Sequence, residues 1–199
     1  MERFRHTQRP AADEWHDGWP DPDTVVDVLG IDTGMTVADA GCANTYYTLP
    51  VADRVAPATV YAVDTDGVVL DELAAAALDA GIETLETVSA TPDALATRLP
   101  AAVDAVLAAN TLHRLVAPRQ FAEQAYRSLA PGGRLLLIDR QVDTPTRSVT
   151  EPWRGTAADG RLTQTQAEEI ITTAAFRLLE SVTLEPAHYG LVFGRTHDR

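Results

Sequence analysis

The stretch Thr36-Val-Ala-Asp-Ala-Gly-Cys-Ala-Asn-Thr45, followed by Tyr61-Ala-Val-Asp64, constrains this chain more than any other part of it. It reads as a buried strand, a tight turn at Gly41, a helix, and a second buried strand that ends on an acid. That order puts a helix N-terminus and a carboxylate at the carboxyl edge of a parallel sheet, where open α/β proteins bind nucleotide-like ligands.

The rest of the chain continues the alternation. Asp21 can cap a helix, Pro22 suits its first position, Gly30 ends it, and Gly34 turns the chain into the first strand, over 36–39. Strands are expected at 60–64, 84–88, 103–110 and 134–139, with helices at 68–80, 92–99 and 119–129 between them. Strands separated by helices of that length imply a parallel sheet with right-handed crossovers. An irregular stretch from Arg140 to Arg161, holding Pro145, Pro152 and Trp153, is long enough to suggest a functional loop. Thr163 and Gln166 form a capping box for a helix reaching 175. Two β-rich runs, 177–184 and 188–194, flank Glu185-Pro-Ala and read as a hairpin.

Composition narrows the field further. A chain of 199 residues suits one domain, 1–199, large enough to bury roughly 70% of its unfolded surface without disulfides or metals. Its first 20 residues form a polar N-terminal segment. The lone cysteine, Cys42, excludes an internal disulfide, and no apolar run approaches a signal core or a membrane span, so a cytoplasmic location without membrane association is expected. Net charge is −13, from 29 acids against 16 basic residues, all of them Arg. An acidic, lysine-free surface fits a salt-loving source, where dense carboxylates keep a protein hydrated; a GC-rich genome favouring Arg codons is the alternative. Either way there is no basic footprint for nucleic acid.

Three segments in order resemble class I S-adenosylmethionine-dependent methyltransferases. Asp39, Gly41 and Cys42 match the family's first motif, in which Ala43 and Thr45 replace glycines. Ala102-Val-Asp-Ala-Val-Leu-Ala-Ala-Asn-Thr-Leu-His-Arg-Leu115 is similar to its fourth strand, and Ser128-Leu-Ala-Pro-Gly-Gly-Arg-Leu-Leu-Leu-Ile-Asp139 to its Pro-Gly-Gly strand. The likeness spans about residues 23–195 and is nearest the small quinone-biosynthesis, or type 11, methyltransferases. It implies a Rossmann-like α/β fold with seven strands in order 3-2-1-4-5-7-6, the last antiparallel, and helices on both faces. It also implies S-adenosylmethionine as cofactor, held by Asp39, Gly41, Cys42, Ala43, Asp64, Thr65, Ser89, Ala90 and Asn110.

Each of these residues has its chemistry. Asp64 lies 23 residues past Gly41, where a carboxylate can take both hydroxyls of a ribose. Asp66 reads as the cap of the next helix. Asp39 either organises the turn for the methionine amino group or simply stabilises that turn. Ala43 is a mild change from glycine, Thr45 a riskier one, and Asn44 is the residue expected to tolerate left-handed geometry. Ser89, in Val88-Ser-Ala90 where the family has Gly-Asp-Ala, can hydrogen-bond adenine without charge. Asn110 closes the fourth strand and faces the methyl-transfer site. His113 is either a general base or a structural histidine. Tyr46 or Tyr47 edges the pocket while the other packs, and Trp15, His16 and Trp19 form a lid or pack on the sheet edge.

Neither the five histidines nor Cys42 shows metal-ligand spacing, so no metal is expected, and no Gly-x-Ser-x-Gly elbow for nucleophilic hydrolysis is present. The reading is methyl transfer to a small neutral or cationic acceptor. The alternative is a non-catalytic binding or partner subunit with an altered cofactor loop.

Overall fold

The computed structural model describes residues 18–142 and 161–196. Trp15, His16, Pro145, Pro152 and Trp153, singled out above, lie outside the described residues. In chain order the elements are α1 (Pro22–Leu29), β1 (Val37–Ala40), α2 (Thr45–Val55), β2 (Val60–Asp64), α3 (Gly67–Asp79), β3 (Leu85–Ser89), α4 (Leu95–Arg98), β4 (Val103–Ala109), α5 (Pro118–Ser128), β5 (Leu129–Arg140), α6 (Gln164–Thr172), β6 (Phe176–Leu184) and β7 (His188–Arg195). The sheet runs β3-β2-β1-β4-β5-β7-β6, with β7 antiparallel to both neighbours and the other pairs parallel, as expected.

The central strands have near-continuous apolar runs because both their faces are covered. On one face Val37, Val60, Leu107, Leu136 and Val192 meet Val25, Val26 and Leu29 of α1 and Val51 and Val55 of α2. Ala62 on the same side packs on Leu70 and Leu73 of α3. On the other face Ala38, Val63, Val106, Leu135, Leu137 and Phe193 pack on Phe121, Ala122 and Ala125 of α5 and Ile171 of α6. All side chains named in these two large clusters are at most 2% exposed.

Local chemistry sets the ends of the helices. Asp21 accepts the Thr24 N–H at 2.9 Å, and Gly30 takes a left-handed C-cap. Asp66 accepts the Val68 N–H at 3.0 Å and so caps α3, as its position suggested. The Thr163–Gln166 capping box is formed in both directions.

Three boundaries differ from expectation. Residues 92–99 split into a 3-10 turn, Pro92–Ala94, and the short α4, which stops because Leu99 precedes Pro100 and is extended at ψ 140°. The sixth helix ends at Thr172 rather than 175, since Ala175 sits at φ +59°. β5 starts at Leu129, and its pairing with β4 jumps from Val103↔Leu129 to Ala105↔Arg134. The Pro131-Gly132-Gly133 segment makes that bulge: a Cβ at Gly133 would lie 2.9 Å from the Ala130 carbonyl and 3.0 Å from that of Asp104.

Phe121, fully buried between α5 and the sheet, provides a test of this packing. Phe121→Ala should cost about 3–5 kcal/mol in urea unfolding, whereas Leu78→Ala, at a side chain 77% exposed, should change stability by less than about 0.5 kcal/mol.

Candidate functional site

The loop after β1 is held by the carboxylate that ends β2. Asp64, 6% exposed, accepts the N–H of Thr65 at 2.7 Å and of Asp66 at 3.1 Å on Oδ1, and the N–H of Ala43 at 3.0 Å on Oδ2. A carboxylate has about four lone-pair positions. One therefore remains on Oδ2, so the two-hydroxyl grip expected of Asp64 requires one loop N–H to release.

Gly41 turns at φ +82°, and a Cβ there would meet the Thr111 hydroxyl at 2.7 Å. This glycine lets the β1 loop lie against the end of β4. Positions 43 and 44 correct the sequence expectation. Asn44 is extended at φ −164° and caps α2 by accepting the Tyr46 N–H at 2.9 Å; the left-handed residue is Ala43, at φ +51°. Ala43, expected to be the mild change, is where the missing glycine matters, and Thr45 begins α2 without backbone strain.

Asp39, 2% exposed, accepts the Thr48 hydroxyl at 2.6 Å, and that hydroxyl also reaches the Asn44 carbonyl at 3.2 Å. Burial pushes its carboxyl up to about 7, opposed by the Thr48 hydrogen bond and helped by the Asp64 charge. Cys42 is buried, and burial followed by the Asp39 and Asp64 charges pushes its thiol well above the usual range, so it is no nucleophile. Ser89 lies beside Asp64 in the β2–β3 register, and the Ala90 N–H donates to the Asp64 carbonyl at 2.9 Å. The Ser89 side chain is exposed, and its carbonyl accepts from Arg98. The Thr65 hydroxyl oxygen and the Asn44 amide nitrogen are buried with no hydrogen-bond partner.

Asn110 stands at φ +50° past the end of β4, with its amide nitrogen 3.4 Å from Nε2 of His188. His113 has a partner that the sequence reading did not give it. Its Nδ1 lies 2.8 Å from Oδ2 of Asp139, the last acid of the β5 run, which is fully buried and also accepts the Arg140 N–H at 2.8 Å. With Nδ1–H donating to Asp139, the lone pair of His113 is on Nε2. The signal for Asp139 lay in the pattern: β5, like β1 and β2, carries an acid near its carboxyl end.

Trp19 packs at 6.3 Å from Tyr46, 5.8 Å from Tyr47 and 6.1 Å from His188, ring centre to ring centre. Tyr47 is the packing member of its pair, 4% exposed with its hydroxyl on the Pro20 carbonyl; Tyr46 is half-buried at the edge. His188, 1% exposed, was not singled out by the sequence except in the search for metal spacing. Among the described residues no three His, Cys, Asp or Glu side chains converge on a point that could hold a metal.

Two variants test this geometry without ligand. Ala43→Gly should stabilise the protein by roughly 1 kcal/mol in chemical unfolding by relieving the left-handed strain. Folded Asp39 holds its proton to a higher pH than the unfolded residue, so its contribution to stability falls as pH rises from about 4 to about 7. Folded His188 has its imidazole pushed down to about 3, first by burial and then by Arg140, Arg161 and His113, so its contribution rises with pH up to about 6.5. The two oppose each other in the wild type. Asp39→Asn keeps an acceptor for Thr48 and should gain stability by a few kcal/mol at pH 8, on the order of the shift it removes, leaving stability that climbs from pH 4 to 6.5. Denaturation midpoints across that range provide the check.

The sequence matches the methyltransferase domain family over residues 38–137, from β1 into β5. No curated protein matches it. Among solved structures, an S-adenosylmethionine-dependent methyltransferase from Aquifex aeolicus superposes with a TM-score of 0.77 and 22% identity over 89% of this chain and 90% of its own. The [4+2]-cyclase SpnF gives 0.73 and 16% identity over 87% and 79% of the two chains. The magnesium protoporphyrin IX methyltransferase from Synechocystis PCC 6803, solved with S-adenosylmethionine bound, gives 0.64 and 18% over 88% and 78%. At these identities the likeness is one of fold. The family match covers half of the chain and takes in the β1 loop, the end of β2 and the end of β4, so the chain belongs to the methyltransferase domain family.

Proposed function

We propose that this protein transfers a methyl group from S-adenosylmethionine to a small-molecule acceptor. The observation that carries the reading is the cradle at the carboxyl ends of β1, β2 and β4, where Asp64 gathers the Ala43, Thr65 and Asp66 N–H groups and keeps one lone pair in reserve. The unpartnered Thr65 hydroxyl and Asn44 amide, buried at the same edge, fit a polar ligand that would satisfy them.

S-adenosylmethionine, when bound, supplies a methyl group on a positively charged sulfur. The protein's own work is to align, neutralise and exclude water. Asp64 takes a ribose hydroxyl. Asp39 lies nearby as a carboxyl whose ionisation is held back by burial until a cation approaches, which suits an α-ammonium group. Gly41, Cys42 and Ala43 supply backbone next to the ligand; Ser89 and Ala90 border the adenine side, and Asn110 faces the reacting end. Where the acceptor atom carries a proton, Nε2 of His113 takes it, and the buried Asp139 carboxylate stabilises the imidazolium.

An acidic chain with arginine as its only basic residue supports a small acceptor over nucleic acid, and supports a high-salt source. Among the described residues no helix is long and apolar enough to cross a membrane. A cytoplasmic enzyme of one domain and of the quinone-biosynthesis type is the corresponding reading. The non-catalytic alternative draws on the strained Ala43 loop, and SpnF, a cyclase by its name, supports the view that this fold does not fix the reaction.

Calorimetric titration with S-adenosylhomocysteine separates these readings. Binding by the wild type that Asp64→Asn weakens about a hundredfold, with the variant still folded, is the expected result. A folded wild-type protein that binds neither S-adenosylhomocysteine nor S-adenosylmethionine would overturn the assignment. If the cofactor binds, His113→Gln should leave its affinity within about twofold and lower turnover on a proton-bearing acceptor by about 10²–10⁴-fold.

A further inference from the structure

Next to the cradle lies a second polar cluster of opposite character. His188 begins β7 and is 1% exposed, and its Nδ1 has no hydrogen-bond partner. The Asn110 amide nitrogen, 3.4 Å from Nε2, can only donate, so it faces the Nε2 lone pair and leaves the ring proton on Nδ1. A buried N–H donor is therefore left with no acceptor, which proteins seldom tolerate outside functional sites.

Two arginines flank it. Arg140 is the direct cross-strand partner of His188 in the β5–β7 register, which puts both side chains on the same face of the sheet. Arg161 precedes Leu162, whose carbonyl accepts the Tyr189 hydroxyl at 3.1 Å and so ties that segment beside the start of β7. The arginines lie close enough for their charges to act on one another and on His188, depressing the Arg140 guanidinium and the His188 imidazole beyond the effect of burial. Both are half-buried, and neither has a carboxylate within ion-pair distance among the described residues. Asp139, next to Arg140 in sequence, is engaged by His113 and by the Arg140 N–H. In a chain of net charge −13, two half-buried arginines with no acidic partner among the described residues, beside an orphaned donor, form a local positive site.

We infer that this cluster is an oxyanion subsite, in which the His188 Nδ1–H, Arg140 and Arg161 hold a carboxylate or phosphate group of the methyl acceptor. The inference rests on the methyltransferase reading for the word acceptor, and it reverses the neutral or cationic acceptor expected from overall composition. Guanidinium groups match planar oxyanions two bonds at a time, and a neutral buried imidazole adds a donor that carries no charge of its own. Asn110 connects the two halves: it closes β4 at the cradle and orients His188 by its amide. Trp19, packed edge-on against Tyr46 and tilted against Tyr47 and His188, supplies an apolar wall on which the body of such an acceptor can pack. His113–Asp139 sits at the end of the neighbouring strands, within the same carboxyl edge.

The test is calorimetric titration of benzoate, of inorganic phosphate and of benzylammonium, each into apo protein and into protein saturated with S-adenosylhomocysteine, at constant ionic strength. Benzoate or phosphate should bind, benzylammonium should not, and Arg140→Gln and Arg161→Gln should each weaken the anion about tenfold while S-adenosylhomocysteine affinity stays within about twofold. Preference for benzoate assigns a carboxylic acid acceptor, and preference for phosphate a phosphate ester. The His188 Nδ1–H proton resonance should also move on anion binding, a readout that needs no substitution in the core. A folded protein that binds neither anion, or binds them equally well in both arginine variants, would overturn the subsite. Binding of S-adenosylhomocysteine without the anion would sink this inference alone, whereas loss of S-adenosylhomocysteine binding with arginine-dependent anion binding intact would sink the acceptor role through the methyltransferase reading.

Discussion

The hydrogen bonds that Asp64 accepts from Ala43, Thr65 and Asp66 are the constraint from which the rest of the site follows. Parallel strands end with their loops side by side, and the sheet ladder carries into the β1 loop as far as Gly41 and Cys42, whose N–H groups donate to the Val63 carbonyl. One buried carboxylate joins the β1 loop to the start of α3 and leaves the Gly41 turn pressed against Thr111 at the end of β4. Three backbone donors replace water that this carboxylate lost on burial. The loop is thereby organised before any ligand arrives, which lowers the entropy that binding must overcome.

The edge is electrically divided. Asp39 and Asp64 put negative charge, or the capacity for it, where a cationic sulfonium compound would lie. Arg140, Arg161 and the orphaned Nδ1–H of His188 put positive character at the β5–β7 side. His113 and Asp139 stand between, with the imidazole held in one tautomer. A cofactor that bears positive charge and an acceptor that bears negative charge would be drawn to different halves of one edge and meet where methyl transfer requires them. Low local dielectric makes that division matter more than the net charge of the surface.

The sheet order and the places of the helices were legible in the sequence because buried parallel strands read as apolar runs between capped helices, and Asp21, Asp66 and the Thr163 box cap where their positions suggested. Ends were read less well where backbone conformation overrode pattern: Ala175 at positive φ shortens α6, and the Pro131-Gly-Gly bulge adds five residues to the start of β5. Of the site, the Gly41 turn and the Asp64 strand end could be read as a local motif. The left-handed residue could not, because the choice between Ala43 and Asn44 depends on Asn44 being recruited to cap α2. Asp139 and His188 escaped for another reason: their significance lies in contacts across β4, β5 and β7, 26 and 78 residues away in sequence from His113 and Asn110. Resemblance to a family points at the shared cradle and is silent on such pairs.

The most direct test of the central claim is to follow backbone amide resonances while S-adenosylmethionine is added. The account requires the N–H signals of Ala43, Thr65, Asp66 and Asn110 to move together along one saturation curve, because the first three share the Asp64 carboxylate that would exchange part of its hydrogen bonding for a ribose hydroxyl. Shifts confined to other parts of the chain, or none at saturating ligand in a folded protein, would contradict it.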